Sequence, residues 1–140
     1  MMKSRVLDAK EKHKKGYNCC QAVVCTYADL LGIDEKTAFK ISEGLGLGIA
    51  KTQRTCGAVS AMVLAAGLKN SDGDIENPKT KRSTYDLGYD LIMEFETQNS
   101  TSICKELKAQ GKRSCDECIM DCAKIIEKML FNGEFEDFNE

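Results

Sequence analysis

Residues 51–67 read KTQRTCGAVSAMVLAAG and decide how the rest of the chain is interpreted. The small and apolar residues after Cys56 leave no polar face, which predicts a buried helix. Thr55 is the expected N-cap, which makes Cys56 the first helical residue. The sulfur of Cys56 would then lie beside unpaired backbone N–H groups at the positive end of the helix dipole, a setting that lowers the pKa of a thiol.

The composition favours a helical protein of one domain. The chain has 140 residues, of which 42% are hydrophobic, with one proline and no tryptophan. We therefore expect a single domain over residues 1–140. The net charge of −2 mixes both signs and gives no indication of a nucleic-acid partner. The charged start lacks the apolar segment of a secretory signal and no run spans a bilayer, so we expect a cytoplasmic protein without membrane insertion.

Eight cysteines in 140 residues are well above ordinary usage. Without a secretory signal, they argue against a structural disulfide framework. They indicate metal binding, redox chemistry or small buried side chains. The only histidine, His13, lies in a run of lysines and is expected to be a surface residue, with metal binding or acid–base chemistry as the less favoured alternative.

Helix caps divide the chain into about six helices with short connections. The expected N-caps include Asn18, Asp34 and Ser114, and Ser114 forms a capping box with Glu117. No stretch shows the alternation of a convincing strand. The sequence therefore predicts an all-α fold, a compact helical bundle with a glycine-rich loop.

The longest predicted helix begins at Asn77 and Pro78, a cap and a first helical residue. Its aromatic stripe, which includes Tyr85 and Tyr89, is expected to face the core.

Gly44, Gly46 and Gly48 predict a tight, irregular backbone before the central helix. The stretch GLGLGIAKT looks like a phosphate-binding loop, but Ala50 stands where that motif needs a glycine and no strand precedes it. We interpret the glycine-rich loop as the segment that delivers Cys56 to its helix and that could gate access to it.

The last predicted helix begins with Cys115, and Cys118 follows at the CxxC spacing of a redox pair. In such a pair, the first cysteine attacks and the second resolves. Lys112 and Arg113, which precede the pair, would favour the thiolate.

Core packing is the alternative for several cysteines, because cysteine is among the most often buried residue types. We expect Cys25 and Cys122 to be core residues. Cys19 and Cys20 are adjacent, and one of the two is expected to pack in the core as well. For Cys118, core packing and a redox role both stay open.

A metal site is the rival interpretation. Four thiolates bind zinc or an iron–sulfur cluster. Cys19, Cys56, Cys104 and Cys115 are spread over four predicted helices, without the two close pairs that are typical of zinc sites. Such scattered ligands are compatible with an ion or cluster inside a bundle.

Four stretches in order resemble the C_GCAxxG_C_C family of redox-active proteins: YNCCQAVVCTYADLLGID, GLGLGIAKTQRTCGAVSAMVLAAG, SICKEL and CDECIMDCAKIIEKML. The similarity spans nearly the whole chain. It implies that the family's cysteines correspond to Cys19, Cys56, Cys104 and Cys115. The chain departs from the family pattern at Ala61, where the motif has glycine. It also departs at three cysteines, where small or aliphatic residues are usual: Cys20, Cys118 and Cys122.

Three hypotheses follow. In the first, a cytosolic redox protein performs thiol–disulfide exchange or electron transfer, with Cys56 and Cys115 as thiolates and Cys19 and Cys104 as resolving partners or co-ligands. It requires a redox partner, which no residue identifies. In the second, the same four cysteines bind a metal or an iron–sulfur cluster in a protein that is not an enzyme. In the third, the cysteines are core residues of a structural domain, for which a homodimer is one expected assembly.

Overall fold

The computed structural model describes residues 1–139, apart from the side chain of residue 110. Within this range the chain forms seven α-helices and no β-strand, which confirms the predicted all-α fold. The helices are α1 (Val6–Lys14), α2 (Cys19–Tyr27), α3 (Glu35–Ser42), α4 (Gly57–Asn70), α5 (Lys81–Asn99), α6 (Cys104–Lys108) and α7 (Cys115–Ile125). A π-helical turn, Ile126–Leu130, extends α7.

Three of the predicted helix starts are confirmed by their side-chain caps. Asn18 caps α2 and Ser114 caps α7, each in a capping box with the residue three positions later, Gln21 and Glu117. Asp34 caps α3 through a hydrogen bond that its carboxylate accepts from a backbone N–H at 2.6 Å. These caps are recognisable in a sequence because donor and acceptor lie only three residues apart.

The predicted start of α5 at Pro78 is wrong, because the helix begins at Lys81 with Thr80 as N-cap. The carboxylate of Asp74 accepts a hydrogen bond from the backbone N–H of Asn77 at 3.1 Å. The ammonium of Lys79 lies 3.5 Å from the same carboxylate. These contacts hold residues 74–79 in a turn that delays the helix.

Only part of the predicted aromatic stripe on α5 faces the core. Tyr85 and Tyr89 are 70% and 63% exposed, so that prediction is wrong for both. Gly88, Leu91 and Phe95 are buried instead. The tyrosines lie on the flank of this buried face, where no neighbouring element covers them.

The core is centred on α2 and α4, which pack against each other. Every residue of α2 is buried, which confirms the prediction of an internal helix, whereas half of the residues of α4 are buried and Val63 is exposed, so α4 is internal on one side only. The C-terminal residues return to this core, where the rings of Phe135 and Tyr27 have centroids 6.0 Å apart. Because α6 and α7 also reach this core, their N-terminal ends meet those of α2 and α4.

None of the helices in residues 1–139 has both the length and the apolar character needed to cross a membrane.

Candidate functional site

Four helix N-termini meet at one place, and each carries a cysteine. Cys19, Cys104 and Cys115 are the first residues of α2, α6 and α7, and Cys56 is the N-cap of α4. Cys118 lies one turn into α7 and faces the same place. The structure therefore brings together the four cysteines named from the sequence and adds a fifth. We call these five residues the cysteine cluster.

The cysteine cluster lines a cavity of about 10 Å³, room for about one water molecule or metal ion. Its remaining lining residues are Leu47, Gly48, Gly57, Leu107, Lys108, Arg113 and Ser114. Four of the five cysteines are almost fully buried, whereas Cys115 is partly exposed. Cys115 is thus the sulfur that a molecule from solution can reach first.

The start of α4 differs from the prediction by one residue, because Cys56 rather than Thr55 is the N-cap. Thr55 pairs instead with Ile103 in an isolated antiparallel bridge. The backbone N–H of Cys56 donates to the carbonyl of Ser102 at 2.8 Å, and that of Cys104 donates to the carbonyl of Arg54 at 2.6 Å. These long-range bonds fix Cys56 and Cys104 side by side, and no local sequence signal reports them.

The segment before Cys56 is an unusual left-handed turn. All five residues from Leu47 to Lys51 have positive φ, between 49° and 71°, although only Gly48 is a glycine. A run of this kind stores backbone strain, which persists only where surrounding contacts hold it. The backbone N–H of Arg54 donates to the carbonyl of Gly48 at 2.9 Å and closes the turn. Leu47 and Gly48 thereby form one wall of the cavity.

Cys56 is set up as a thiolate, as expected from its place at a helix N-terminus. The pKa of Cys56 is lowered by a hydrogen bond from the thiol of Cys118 and by the backbone N–H groups of Val59 and Ala58, against the opposing effect of burial. The same contact, together with burial, raises the pKa of Cys118. Within this pair, the pKa of Cys56 is lowered and that of Cys118 is raised, so Cys56 is the sulfur that ionises first.

A second pair, Cys115 and Cys19, has the same asymmetry. The pKa of Cys115 is lowered by a hydrogen bond from the thiol of Cys19 and by the ammonium of Lys108, which together outweigh burial. The hydrogen bond and burial raise the pKa of Cys19. The cluster thus contains two neighbouring pairs of sulfurs, and in each pair the pKa of one cysteine at a helix N-terminus is lowered.

The cation that stabilises the Cys115 thiolate is not one of the two predicted from the sequence. The guanidinium of Arg113 is engaged by Glu117 and Asp121. Lys108, seven residues before Cys115, donates to its sulfur instead. Its contribution was missed because it depends on how α6 and α7 pack, not on proximity in the sequence.

The remaining cysteines lie outside the cluster, in agreement with their predicted core role. Cys20 and Cys122 are fully buried in the hydrophobic core. Burial raises the pKa of Cys20 to about 12. Cys25 is buried on the far side of α2, where its sulfur approaches the carbonyl oxygen of Glu35 at 3.7 Å.

His13 lies beside the cluster and is not a plain surface residue. Its Nδ1 is 2.7 Å from the Oδ1 atom of Asp116, and its side chain is only 30% exposed. A ring nitrogen of His13 and the sulfurs of Cys19 and Cys115 all lie within 4.8 Å of one another, close enough to hold a metal ion. This arrangement is not predictable from local sequence, since His13 and Asp116 are 103 positions apart.

Comparison with known proteins gives one family. Residues 17–129 match the model of the family described as "Putative redox-active protein (C_GCAxxG_C_C)". No curated protein and no solved structure gives a significant match. The matched region extends from just before α2 into the π-helical turn after α7, so it includes all five cysteines of the cluster. The chain therefore belongs to the C_GCAxxG_C_C family.

Proposed function

We propose that this protein performs thiol–disulfide exchange with a disulfide-containing or dithiol partner, and that Cys115 and Cys19 are the first reacting pair. One observation carries the proposal: the sulfurs of the partly exposed Cys115 and the buried Cys19 lie within 4.8 Å of each other at the first residues of two helices. Exchange needs a thiolate that can be reached and a second sulfur beside it. A reducing compartment such as the cytoplasm would keep both sulfurs available.

In the reducing direction, the thiolate of Cys115 attacks one sulfur of a partner's disulfide. The partner's S–S bond breaks. The attacked sulfur joins Cys115 in a mixed disulfide, and the other partner sulfur leaves as a thiolate. Cys19 then loses its proton to that thiolate or to water and attacks the sulfur of Cys115. The partner sulfur that was bound to Cys115 leaves as a thiolate, and the protein holds a Cys19–Cys115 disulfide. Two electrons have then passed from the protein to the partner.

Cys56 and Cys118 are proposed as an inner pair. Cys56 is the second activated thiolate, but it is 5% exposed, so large partners reach it only after the left-handed turn moves. In this scheme Cys118 resolves Cys56, and the CxxC pairing of Cys115 with Cys118 is not used. Cys104 lines the same cavity with its pKa raised by burial, and we assign it a reserve role as a resolving thiol.

The test uses glutathione disulfide as the partner, under anaerobic conditions, with the mass of the intact protein as readout. The wild-type protein should pass through a glutathione adduct and end as an internal disulfide. The Cys19→Ser variant should accumulate the adduct at Cys115, because its resolving sulfur is missing. The Cys115→Ser variant should form adducts much more slowly.

The Cys25→Ser variant is the matched control, because Cys25 lies outside the cluster. It should react like the wild-type protein, and circular dichroism should show that all three variants are folded. Wild-type rates in the folded Cys115→Ser variant would overturn the proposal.

A second candidate function is metal binding by Cys19, Cys56, Cys104 and Cys115, since all four line one cavity at helix N-termini. In residues 1–139 the close trio that contains Cys19 and Cys115 is completed by His13, so Cys56 and Cys104 would have to move nearer to bind the same ion. The size of the cavity favours a single ion such as zinc over an iron–sulfur cluster. Iron, zinc and acid-labile sulfide should be measured after anaerobic purification. One bound metal with about four protected thiols would support this function, and metal-free protein with reactive thiols would support exchange.

A further inference from the structure

His13 adds an imidazole beside Cys19 and Cys115, which we call the outer pair of the cysteine cluster. It lies in the last turn of α1, whereas Cys19 and Cys115 begin α2 and α7. A ring nitrogen and the two sulfurs lie within 4.8 Å of one another. No other trio of histidine, cysteine or carboxylate side chains in residues 1–139 comes together in this way.

The carboxylate of Asp116 orients this imidazole. Its Oδ1 atom is 2.7 Å from Nδ1 of His13, and both side chains are about two-thirds shielded from solvent. A carboxylate that holds one ring nitrogen fixes the ring and leaves the other nitrogen for an ion. Two thiolates and one imidazole form a donor set that suits zinc.

We propose that His13, Cys19 and Cys115 form a three-ligand site for a divalent zinc ion, with Asp116 as the positioning residue for His13. Three protein ligands leave the fourth tetrahedral position open to water or to an exogenous ligand. This site differs from a four-cysteine site because it includes the histidine and leaves out Cys56 and Cys104. It does not depend on the proposed exchange reaction, although a Cys19–Cys115 disulfide would prevent zinc from binding.

The test is a zinc titration of the reduced, metal-free protein in competition with a chromogenic chelator under anaerobic conditions. The wild-type protein should bind one zinc ion. The His13→Asn variant should bind zinc at least about tenfold more weakly, and Asp116→Asn should weaken binding by about ten- to a hundredfold. The Cys104→Ser variant should bind zinc as the wild-type protein does.

Lys15→Gln is the matched control for a change at the exposed end of α1, and it should leave zinc binding unchanged. A second readout uses Co²⁺ in place of zinc, because its visible absorption reports the ligands directly. The Co²⁺ spectrum should change in His13→Asn and persist in Cys104→Ser. Wild-type zinc affinity in a folded His13→Asn variant would overturn the site, as would a loss of binding in Cys104→Ser equal to that in Cys19→Ser.

Metal-free His13→Asn protein should also be tested with glutathione disulfide. An internal disulfide formed as in the wild-type protein, together with weak zinc binding, would support both inferences separately. Failure of exchange in the metal-free wild-type protein would contradict the proposed function and leave the zinc result standing.

Discussion

The reactivity of Cys115 depends on Lys108, whose ammonium stabilises the thiolate across the gap between α6 and α7. The Lys108→Gln substitution removes this charge, so the pKa of Cys115 should rise. Because Lys108 is largely exposed, we expect the alkylation rate of Cys115 to fall roughly two- to fivefold below its pKa of about 5, the range for a screened ion pair, and to change little near pH 7, where the thiol is ionised in both proteins. The measurement is the rate of iodoacetamide modification against pH, with the modified residue identified by peptide mass.

Lys105→Gln is the control for this prediction, because Lys105 is an exposed lysine on the same short helix. It should leave the pH profile of Cys115 unchanged. An equal effect of both substitutions would mean that general surface charge, and not the contact with Lys108, sets the reactivity.

Residues whose role depends on local bonds were predictable, and residues whose role depends on distant ones were not. Ser114 and Glu117 cap α7 within one turn, so the sequence placed Cys115 correctly at a helix start. Cys56 was placed one residue too far into its helix, because its own N–H is tied to Ser102. His13 was assigned to the surface, because its partner Asp116 comes from the other end of the chain.

The left-handed turn is the element that covers the cysteine cluster, and Gly48 is its tightest point. A Cβ atom at this position would lie 2.5 Å from the backbone nitrogen of Arg54, in a residue whose φ is +71°. The Gly48→Ala substitution should therefore lower the free energy of unfolding by about 2 kcal/mol or more. Urea denaturation of the reduced protein measures this loss.

The Gly73→Ala substitution separates the two causes of that loss, which are the clash of the added Cβ atom and the positive φ. Gly73 also has a positive φ, +68°, but no atom lies within 4 Å of its would-be Cβ atom. The Gly73→Ala substitution should lower the free energy of unfolding by only about 1 kcal/mol, the usual effect of an alanine with positive φ. Equal losses in the two variants would show that the turn is not tightly packed. A faster modification of Cys56 in Gly48→Ala would indicate that the turn also limits access to the inner pair.

The sequence indicated that this segment is irregular, but it could not show its handedness. Glycines at positions 44, 46 and 48 mark a backbone that avoids regular structure. Leu47, Ile49 and Ala50 adopt positive φ as well, which their own preferences oppose. The backbone N–H groups of Gln53 and Arg54 close the turn onto the carbonyls of Leu47 and Gly48. The carbonyls of Gln53 and Arg54 in turn accept hydrogen bonds from α6, so the conformation becomes visible only once the helices are packed.

The stability of the whole molecule should depend on pH through its buried thiols. Burial raises the pKa of Cys20 and Cys122, and burial with a thiol–thiolate contact raises that of Cys19 and Cys118. The unfolded chain releases these protons at about pH 8.5, whereas the folded chain retains them. Above that pH the unfolded state binds fewer protons, so the free energy of unfolding should fall between pH 8.5 and 9.5.

The lowered pKa values of Cys56 and Cys115 act in the opposite direction below about pH 8.5, where their stabilisation is lost as the pH falls through the folded-state pKa values. Urea denaturation at several pH values, with a phosphine reductant, tests both the loss of stability above pH 8.5 and the loss below it. Cys122→Ala should show a decrease between pH 8.5 and 9.5 that is about 1 kcal/mol smaller than that of the wild-type protein. An unchanged decrease would show that buried thiols do not cause it.

At the scale of the whole molecule, the all-α class followed from caps, glycines and apolar faces, and it is confirmed. These local signals did not predict that four helix N-termini meet at one place. Each cysteine could be placed at the start of its own helix, but which helices pack together depends on contacts between distant segments. The resemblance to the family supplied the four cysteines as a set, and the packing added Cys118, Lys108 and His13.

In the proposed exchange, Cys19 and Cys115 form the outer pair and Cys56 and Cys118 the inner pair. The most direct test is to oxidise the reduced, metal-free protein with increasing glutathione disulfide, block the remaining thiols and map the disulfide-linked peptides. A Cys19–Cys115 link should appear first, and a Cys56–Cys118 link should follow at stronger oxidation. A Cys115–Cys118 link as the first product, or links made mainly by Cys25, would contradict this pairing.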